Sequence, residues 1–166
     1  MQKKKVTFMH SMRFRLMSLL VGGILLTAVV LLGVSLSQTQ KSIRSIVQSY
    51  MLTTAKDNGT IMDTVLDAKG AEVLNDADAL SGLLANVKVE DMESSYAYLV
   101  SADGTMLYHP TADKIGSPVE NEVVTALVAD LKGGKIADPA CVEYNFKGVI
   151  KYAAYYINPQ GSYILV

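Results

Sequence analysis

The longest apolar stretch of the chain lies close to its N-terminus. Residues 16–36 read LMSLLVGGILLTAVVLLGVSL, which is 21 residues without a charged side chain. At the rise of an α-helix, this length matches the roughly 30 Å hydrocarbon thickness of a bilayer. The pattern therefore predicts a membrane-spanning helix. The alternative is a cleaved export signal with a weak cut site at Gly33, Val34 and Ser35, although such signals have apolar cores of only about 7 to 15 residues.

Residues 37–66 continue with a helical pattern. They contain no proline and one glycine, and their apolar or small side chains recur at steps of three or four residues, or at multiples of these steps. These positions are Ile43, Val47, Tyr50, Thr54, Ile61 and Val65. We expect a long amphipathic helix continuous with the span. Its stripe either packs on its own domain or forms a seam with a second copy of the chain. A second helical pattern follows over residues 73–87.

The pattern changes at residue 94, where tyrosines, valines and turn residues replace the helical stripe. Residues 96–100 and 106–109 predict two strands, and Gly104 supplies the positive φ that the turn between them requires. Ser117, Pro118 and Glu120 have the spacing of a capped helix start, and Gly133 marks the end of that helix. Residues 142–146, 151–157 and 163–166 predict three further strands.

This order of elements predicts an α+β fold. A transmembrane helix continues into a long N-terminal helix, and an antiparallel five-stranded sheet follows, with a helix between strands 2 and 3. Helices on one side of the sheet and a pocket on the other would bury these faces economically. The expected segments are a basic tail (residues 1–15), the span (16–36), a helical stalk (37–93) and the sheet (94–166), with the stalk and the sheet forming one domain.

Charge divides the chain into two parts. The first 40 residues carry five basic side chains and no acid, whereas residues 41–166 carry 10 basic and 16 acidic side chains, a net charge of −6. Positive charge before the span predicts that the tail stays in the cytoplasm, where it can contact anionic lipid, and that the remainder lies outside. An acidic outer part excludes nucleic acid as a partner. Cys141 is the only cysteine, so no internal disulfide can form.

Motifs of catalysis and metal binding are missing from the sequence. It has no nucleophile elbow, no phosphate-binding glycine loop and no histidine, cysteine and acid spacing typical of a metal site. We therefore expect no enzyme and no cofactor or metal. Two alternatives of other classes stay open, namely a membrane-tethered enzyme and a pilin-like subunit. The pilin-like design usually has an acid near the start of its apolar helix, whereas the first acid here is Asp57.

The stretch YAYLVSADGTMLYHPTADKIGSPVEN, followed by YNFKGVIKYAAYY and a final strand, resembles the extracytoplasmic Cache sensor domain of bacterial receptors. The resemblance covers about residues 37–166. It implies a PAS-like sheet that binds a small molecule, such as an amino acid or a carboxylate, in a chain that forms a homodimer. Most such domains belong to methyl-accepting chemotaxis proteins, and fewer to histidine kinases or cyclic-dinucleotide enzymes. These receptors continue into a second span, so we expect the 166 residues to be an N-terminal fragment.

Six residues are candidates for ligand binding. Tyrosines combine a flat apolar ring with one hydroxyl group that can orient a polar ligand. For an anionic ligand, a lysine offers a fixed charge and a histidine offers a donor that depends on pH. The candidates are Tyr98, Tyr108, His109, Tyr144, Lys151 and Tyr155. The alternative for each tyrosine is packing in the core or at the surface. For His109 it is a capped or solvent-facing position, and for Lys151 an ordinary solvent-facing position.

Overall fold

The structure is a computed structural model that describes residues 12–89 and 92–166. Most of the predicted basic tail therefore lies outside the described residues. The chain divides into two compact units, residues 1–45 and 46–166. Its helices are α1 (Met12–Lys69), α2 (Ala77–Leu84) and α3 (Glu122–Lys132), and its strands are β1 (Leu99–Ser101), β2 (Met106–Tyr108), β3 (Ala140–Phe146), β4 (Val149–Ile157) and β5 (Tyr163–Leu165).

The first unit consists of the N-terminal part of α1. This part includes residues 16–36, and its large apolar side chains are exposed, for example Leu19 at 76% and Leu31 at 68%. Among the described residues, α1 is the one helix that is long and apolar enough to cross a membrane. A helix with apolar side chains on all sides is stable only where these side chains are removed from water, in a protein core or in a membrane. Its length and composition thus agree with the predicted span.

The second unit begins with the rest of α1, which ends where Gly70 takes a φ of 85°. The helix predicted over residues 73–87 is interrupted. A short 3₁₀ turn, Ala71–Asn75, comes first, and α2 begins only after Asp76. The carboxylate of Asp76 accepts the Ala79 N–H, so it caps α2 and holds its own backbone in an extended conformation. The Asp76 cap therefore divides the segment that one apolar pattern predicted as a single helix into the 3₁₀ turn and α2.

The α+β class is confirmed by a long N-terminal helix and a five-stranded antiparallel sheet. The strand order is β2-β1-β5-β4-β3. The Asp-Gly turn joins β1 to β2 as predicted, because Gly104 has a φ of 97° and its N–H donates to the Ser101 carbonyl over 3.0 Å. β1 is displaced from its predicted position, since Tyr96 and Tyr98 precede it, although the Tyr98 backbone exchanges two hydrogen bonds with Val166.

The predicted start of α3 was wrong. Ser117, Pro118 and Val119 run beside the β1–β2 turn: the Ser117 carbonyl accepts the Met106 N–H, and the Val119 N–H donates to the Gly104 carbonyl. This pairing holds the segment extended. The helix begins four residues later with Asn121 as its cap, whose side chain accepts the Val123 N–H over 3.0 Å. A distant backbone partner decided the conformation against the local capping pattern.

The expectation of helices on one side of the sheet was also wrong, because helices pack on both faces. One face lies against α1 and α2, and its buried residues include Leu99, Tyr108, Tyr163 and Leu165 together with Met62, Leu80 and Leu84. The opposite face lies against α3, and its buried residues include Tyr98, Val100, Tyr155 and Ile164 together with Val124, Leu127 and Val128. We call these the stalk face and the α3 face. Alternate residues of β1 and β5 divide between them, whereas Met106 and Tyr108 of β2 lie on different faces beside the register shift at Leu99 and Val100.

Candidate ligand-binding site

Three aromatic side chains meet on the α3 face at the start of β1 and the end of β2. The ring centroids of Tyr96 and His109 are 5.0 Å apart, those of Tyr98 and His109 are 5.9 Å apart, and those of Tyr96 and Tyr98 are 6.1 Å apart. Tyr96 and Tyr98 share a face because they are two residues apart in an extended segment. Tyr98 and His109 are buried, whereas Tyr96 is 46% exposed. Of the three rings, that of Tyr96 is therefore the one most exposed to solvent.

The hydroxyl of Tyr98 is held by the cap of α3. The Asn121 side-chain oxygen accepts the Val123 N–H, which directs its Nδ2 toward the Tyr98 hydroxyl oxygen at 2.9 Å. Because Tyr98 accepts in this bond, its own O–H remains available to donate to a further acceptor. Burial raises the pKa of the Tyr98 phenol above its usual value. The phenol thus stays protonated and acts as a hydrogen-bond donor.

His109 is also poised as a donor. Its Nδ1 accepts the Thr111 N–H over 2.9 Å, so the neutral ring carries its proton on Nε2. Burial and the nearby positive charge of Lys114 lower the pKa of His109. The imidazole is therefore neutral at physiological pH and carries a single N–H, on Nε2.

Two further candidate residues, Tyr144 and Lys151, come from β3 and β4. Burial raises the pKa of the Tyr144 phenol, and the nearby phenol of Tyr96 and carboxylate of Glu122 raise it further. Lys151 lies directly opposite Tyr144 in the β3–β4 ladder. Its Nζ is 4.9 Å from the centroid of the Phe146 ring, which in turn contacts Tyr144 at 6.5 Å. A second ammonium, that of Lys147, lies 5.0 Å from the same ring.

These groups share one chemical property, which is that they donate hydrogen bonds or carry positive charge. Tyr98 and Tyr144 are protonated phenols, and His109 is a neutral Nε2–H donor. Lys151, which lies opposite Tyr144 in the β3–β4 ladder, adds a cation. We call these four residues the donor cluster. Such an arrangement is complementary to an acceptor with negative charge, such as a carboxylate. The rings of Tyr96 and Phe146 provide apolar surface for the rest of a small ligand.

The structure brings Tyr98 and His109 into contact, and Tyr144 lies close enough to Tyr98 to add to the effect of burial in raising the pKa of its phenol. Lys151 lies opposite Tyr144, whereas Tyr108 is separated from all of them. Tyr108 is buried on the stalk face, in the cluster that contains Leu80 and Leu84, so the sheet lies between it and the donor cluster. Tyr155 is on the α3 face, in the same buried cluster as Tyr98. Burial raises the pKa of its phenol, and the carboxylates of Asp138 and Asp130 raise it further. Asp130 lies near the C-terminal end of α3, and Asp138 lies between α3 and β3.

Sequence reasoning did not select Tyr96 or Asn121. Tyr96 could have been found from strand alternation, since it precedes Tyr98 by two residues and shares its face. Asn121 carried no local signal, because the capping pattern was assigned to Ser117. Its role depends on where α3 begins, and the pairing of residues 117–119 with the β1–β2 turn determines this.

Other parts of the described residues give weaker evidence for a ligand or metal site. An open depression of about 740 Å³ is lined by Lys88, Val89, Met92, Glu93 and Ser94, and none of the six predicted residues lines it. In the described ranges, no three histidine, cysteine or acidic side chains form a group that could hold a metal ion. Comparison of the chain with protein-family models, with curated proteins and with solved structures finds no match.

Proposed function

We propose that this chain is a membrane-anchored extracytoplasmic sensor of a small carboxylate or amino acid. The single observation that carries the proposal is the donor cluster. Hydrogen bonds from Asn121 and Thr111 orient Tyr98 and His109 as donors, and Tyr144 stays a protonated phenol because its pKa is raised. Lys151, opposite Tyr144, adds positive charge. A site built from donors and a cation selects an anion that accepts hydrogen bonds.

An amino acid would use both signs of charge at this site. Its carboxylate would lie among the donors, and its ammonium group would face the Glu122 carboxylate, whose proximity to Tyr144 raises the pKa of that phenol. Glu122 is the first residue of α3 and is exposed. A simple carboxylate would use only the first set of contacts. Both ligands belong to the class that we propose.

The fold supports the same proposal. A single Cache domain of PAS-like type would have a long N-terminal helix, a five-stranded antiparallel sheet and a helix between strands 2 and 3, and α1, the sheet and α3 correspond to these parts. The apolar part of α1 would cross the membrane, with the basic N-terminal residues in the cytoplasm. From this architecture together with the sequence resemblance, we propose that the chain is the sensory part of a methyl-accepting chemotaxis protein.

Signalling would follow from differential binding. A ligand that binds one arrangement of the sheet and α1 more tightly than another shifts their populations, by at most its difference in affinity for the two. α1 would carry the resulting displacement toward the membrane. Two copies of the chain would bind side by side, each with its own ligand site.

A thermal-shift experiment on the full chain in detergent micelles tests the proposed ligand class. Acetate, propionate and alanine are compared with ethylamine, which has a similar size and the opposite charge. We expect a saturable rise in Tm with at least one of the three carboxylate compounds, because a ligand that binds only the folded state stabilises it. Ethylamine should give no rise. A rise with ethylamine alone, or with none of the compounds, would contradict the proposed ligand class.

A further inference from the structure

One carboxylate on α1 holds the β4–β5 hairpin. The Tyr156 hydroxyl donates to Oδ2 of Asp63 over 2.5 Å. The Asn158 Nδ2 and the Tyr163 hydroxyl both lie 2.6 Å from Oδ1 of the same carboxylate. Asp63 therefore receives donors from the end of β4, from the turn and from β5. We call these four residues the Asp63 latch.

The same contact brings helix and strand unusually close. Gly59 lies one helical turn before Asp63, and a Cβ atom at this position would be only 2.2 to 2.7 Å from three ring atoms of Tyr156. The Tyr156 ring thus packs on the bare backbone of α1. The Tyr163 hydroxyl also lies 2.9 Å from the Gly59 carbonyl oxygen. Only a residue without a side chain allows the ring and the carboxylate to be engaged together.

Asn158 connects the latch to the shape of the hairpin. Its side-chain oxygen accepts the N–H groups of Gln160 and Ser162, at 3.0 and 3.2 Å. Its amide nitrogen donates to Asp63. The residue is fully buried, with 1% of its surface exposed. One amide therefore both folds the turn and binds the helix, so a change in the turn changes the position of the Asp63 partner.

The latch and the donor cluster occupy opposite faces of the same strand. Lys151 and Tyr155 project from β4 to the α3 face, and Tyr156 projects to the stalk face. A strand moves as a unit because its ladder bonds fix its register, and β4 is bonded to both β3 and β5. Displacement of β4 by a ligand on one face would therefore be felt by Tyr156 on the other.

We propose that Asp63 is a positioning residue that couples the β4–β5 hairpin to α1, an inference that rests on the proposed sensor function for its biological role. The four latch residues form a polar connection between the sheet and α1, the helix that leads to the proposed span. Release of the latch frees α1 to shift along the sheet while the apolar contacts of Met62 with the stalk face keep the domain folded.

The phenols of the latch stay donors over the physiological range. Burial and the adjacent Asp63 carboxylate raise the pKa of Tyr156 to about 12, and the same two causes raise the pKa of Tyr163. Replacement of Asp63 by asparagine keeps the size of the side chain but substitutes a donor for one acceptor oxygen. Where the amide nitrogen takes the place of Oδ2, the Tyr156 hydroxyl loses the carboxylate oxygen to which it donates.

The test measures the position of α1 relative to the hairpin in the full chain, reconstituted in lipid nanodiscs. Spin labels are attached at two exposed positions, Asp57→Cys on α1 and Gln160→Cys in the turn, in a Cys141→Ser background. Pulsed dipolar spectroscopy then gives the distribution of distances between the labels. The expected result is one narrow distance for the parent protein and, for Asp63→Asn, a distribution at least twice as wide or a second distance.

Tyr152→Phe is the matched control. Tyr152 also lies on β4, and its hydroxyl donates to the Glu143 carboxylate of β3 over 2.7 Å, so the variant removes a tyrosine–carboxylate bond between two neighbouring strands. This control should keep the parent distribution. If Asp63→Asn fails to fold by circular dichroism, Tyr156→Phe, which removes only one oxygen atom, is measured in its place.

A parent-like distribution in a folded latch variant would overturn the inference, as would equal broadening in the Tyr152→Phe control. The experiment needs no ligand, which separates its failure from that of the proposed function. Release of α1 without carboxylate binding would leave the latch standing and refute the ligand assignment. Carboxylate binding without movement of α1 in the latch variant would support the ligand assignment and refute the proposed role of Asp63.

Discussion

Replacement of Gly59 by alanine sets two effects of opposite sign against each other. Gly59 lies in the interior of α1, where alanine is favoured over glycine by about 1 kcal/mol. The new Cβ would lie within 2.2 to 2.7 Å of the Tyr156 ring, so the ring has to move by more than an ångström to reach van der Waals contact. This contact and the helix preference predict opposite changes in the free energy of unfolding.

The structure indicates that the contact dominates. Overpacking of a filled site typically costs about 1 to 3 kcal/mol. Movement of the ring also withdraws the Tyr156 hydroxyl from Asp63, and a hydrogen bond to a charged group contributes about 1.5 to 3 kcal/mol. After the helix preference is subtracted, we expect Gly59→Ala to lower the free energy of unfolding by roughly 1.5 to 5 kcal/mol.

The assay is urea unfolding in detergent micelles, followed by the near-ultraviolet circular dichroism of the tyrosines, since the chain contains nine tyrosines and no tryptophan. Gly82→Ala is the matched control, because Gly82 lies inside α2, is exposed, and has no atom within 4 Å of its added Cβ. This variant should be more stable than the parent by about 1 kcal/mol. A Gly59→Ala variant as stable as the parent would refute the close contact of α1 with β4.

Two further predictions concern pH. Because burial lowers the pKa of His109, the unfolded state binds its proton first, and the free energy of unfolding should fall as the pH drops below about 6.5. His109→Gln should reduce this slope, and an unchanged slope would exclude His109 as its source. At alkaline pH the sign is opposite: Tyr156 titrates at about 12 when folded and near 10 when unfolded, so stability should be lost as the pH rises from about 10 toward 12. Urea titrations at each pH measure both effects. Tyr156→Phe should lose less stability over the alkaline range than the Tyr152→Phe control. Equal losses would contradict the assignment of the alkaline effect to Tyr156.

Local signals allowed much of the fold to be predicted. The positive φ of Gly104 and the end of α3 at Gly133 follow from the chemistry of one or two residues, and both agree with the structure. The start of α3 could not be predicted in this way. Pro118 lies opposite Thr105 in an isolated bridge. A segment with a favourable capping pattern is therefore held extended by residues that are distant from it in the sequence.

The candidate site was only partly predictable for a related reason. Alternation along a strand shows which residues share a face, but it does not show which face carries which helix. Tyr108 and Tyr98 therefore looked equivalent in the sequence, and the sheet separates them. Asp63 stood in a polar part of the stalk and gave no signal at all. Its three partners come from residues about 100 positions later in the chain.

A binding measurement tests the central claim most directly. Isothermal titration calorimetry compares the parent protein, Tyr98→Phe and Tyr108→Phe with the carboxylate that stabilises the parent most. Both variants lose one phenol oxygen, but only Tyr98 belongs to the donor cluster, and the loss of one hydrogen bond of about 1 to 1.5 kcal/mol should raise the Kd roughly 5- to 12-fold in Tyr98→Phe. Tyr108→Phe should bind like the parent. Equal affinities in the two variants, or a parent protein that binds no carboxylate, would contradict the account.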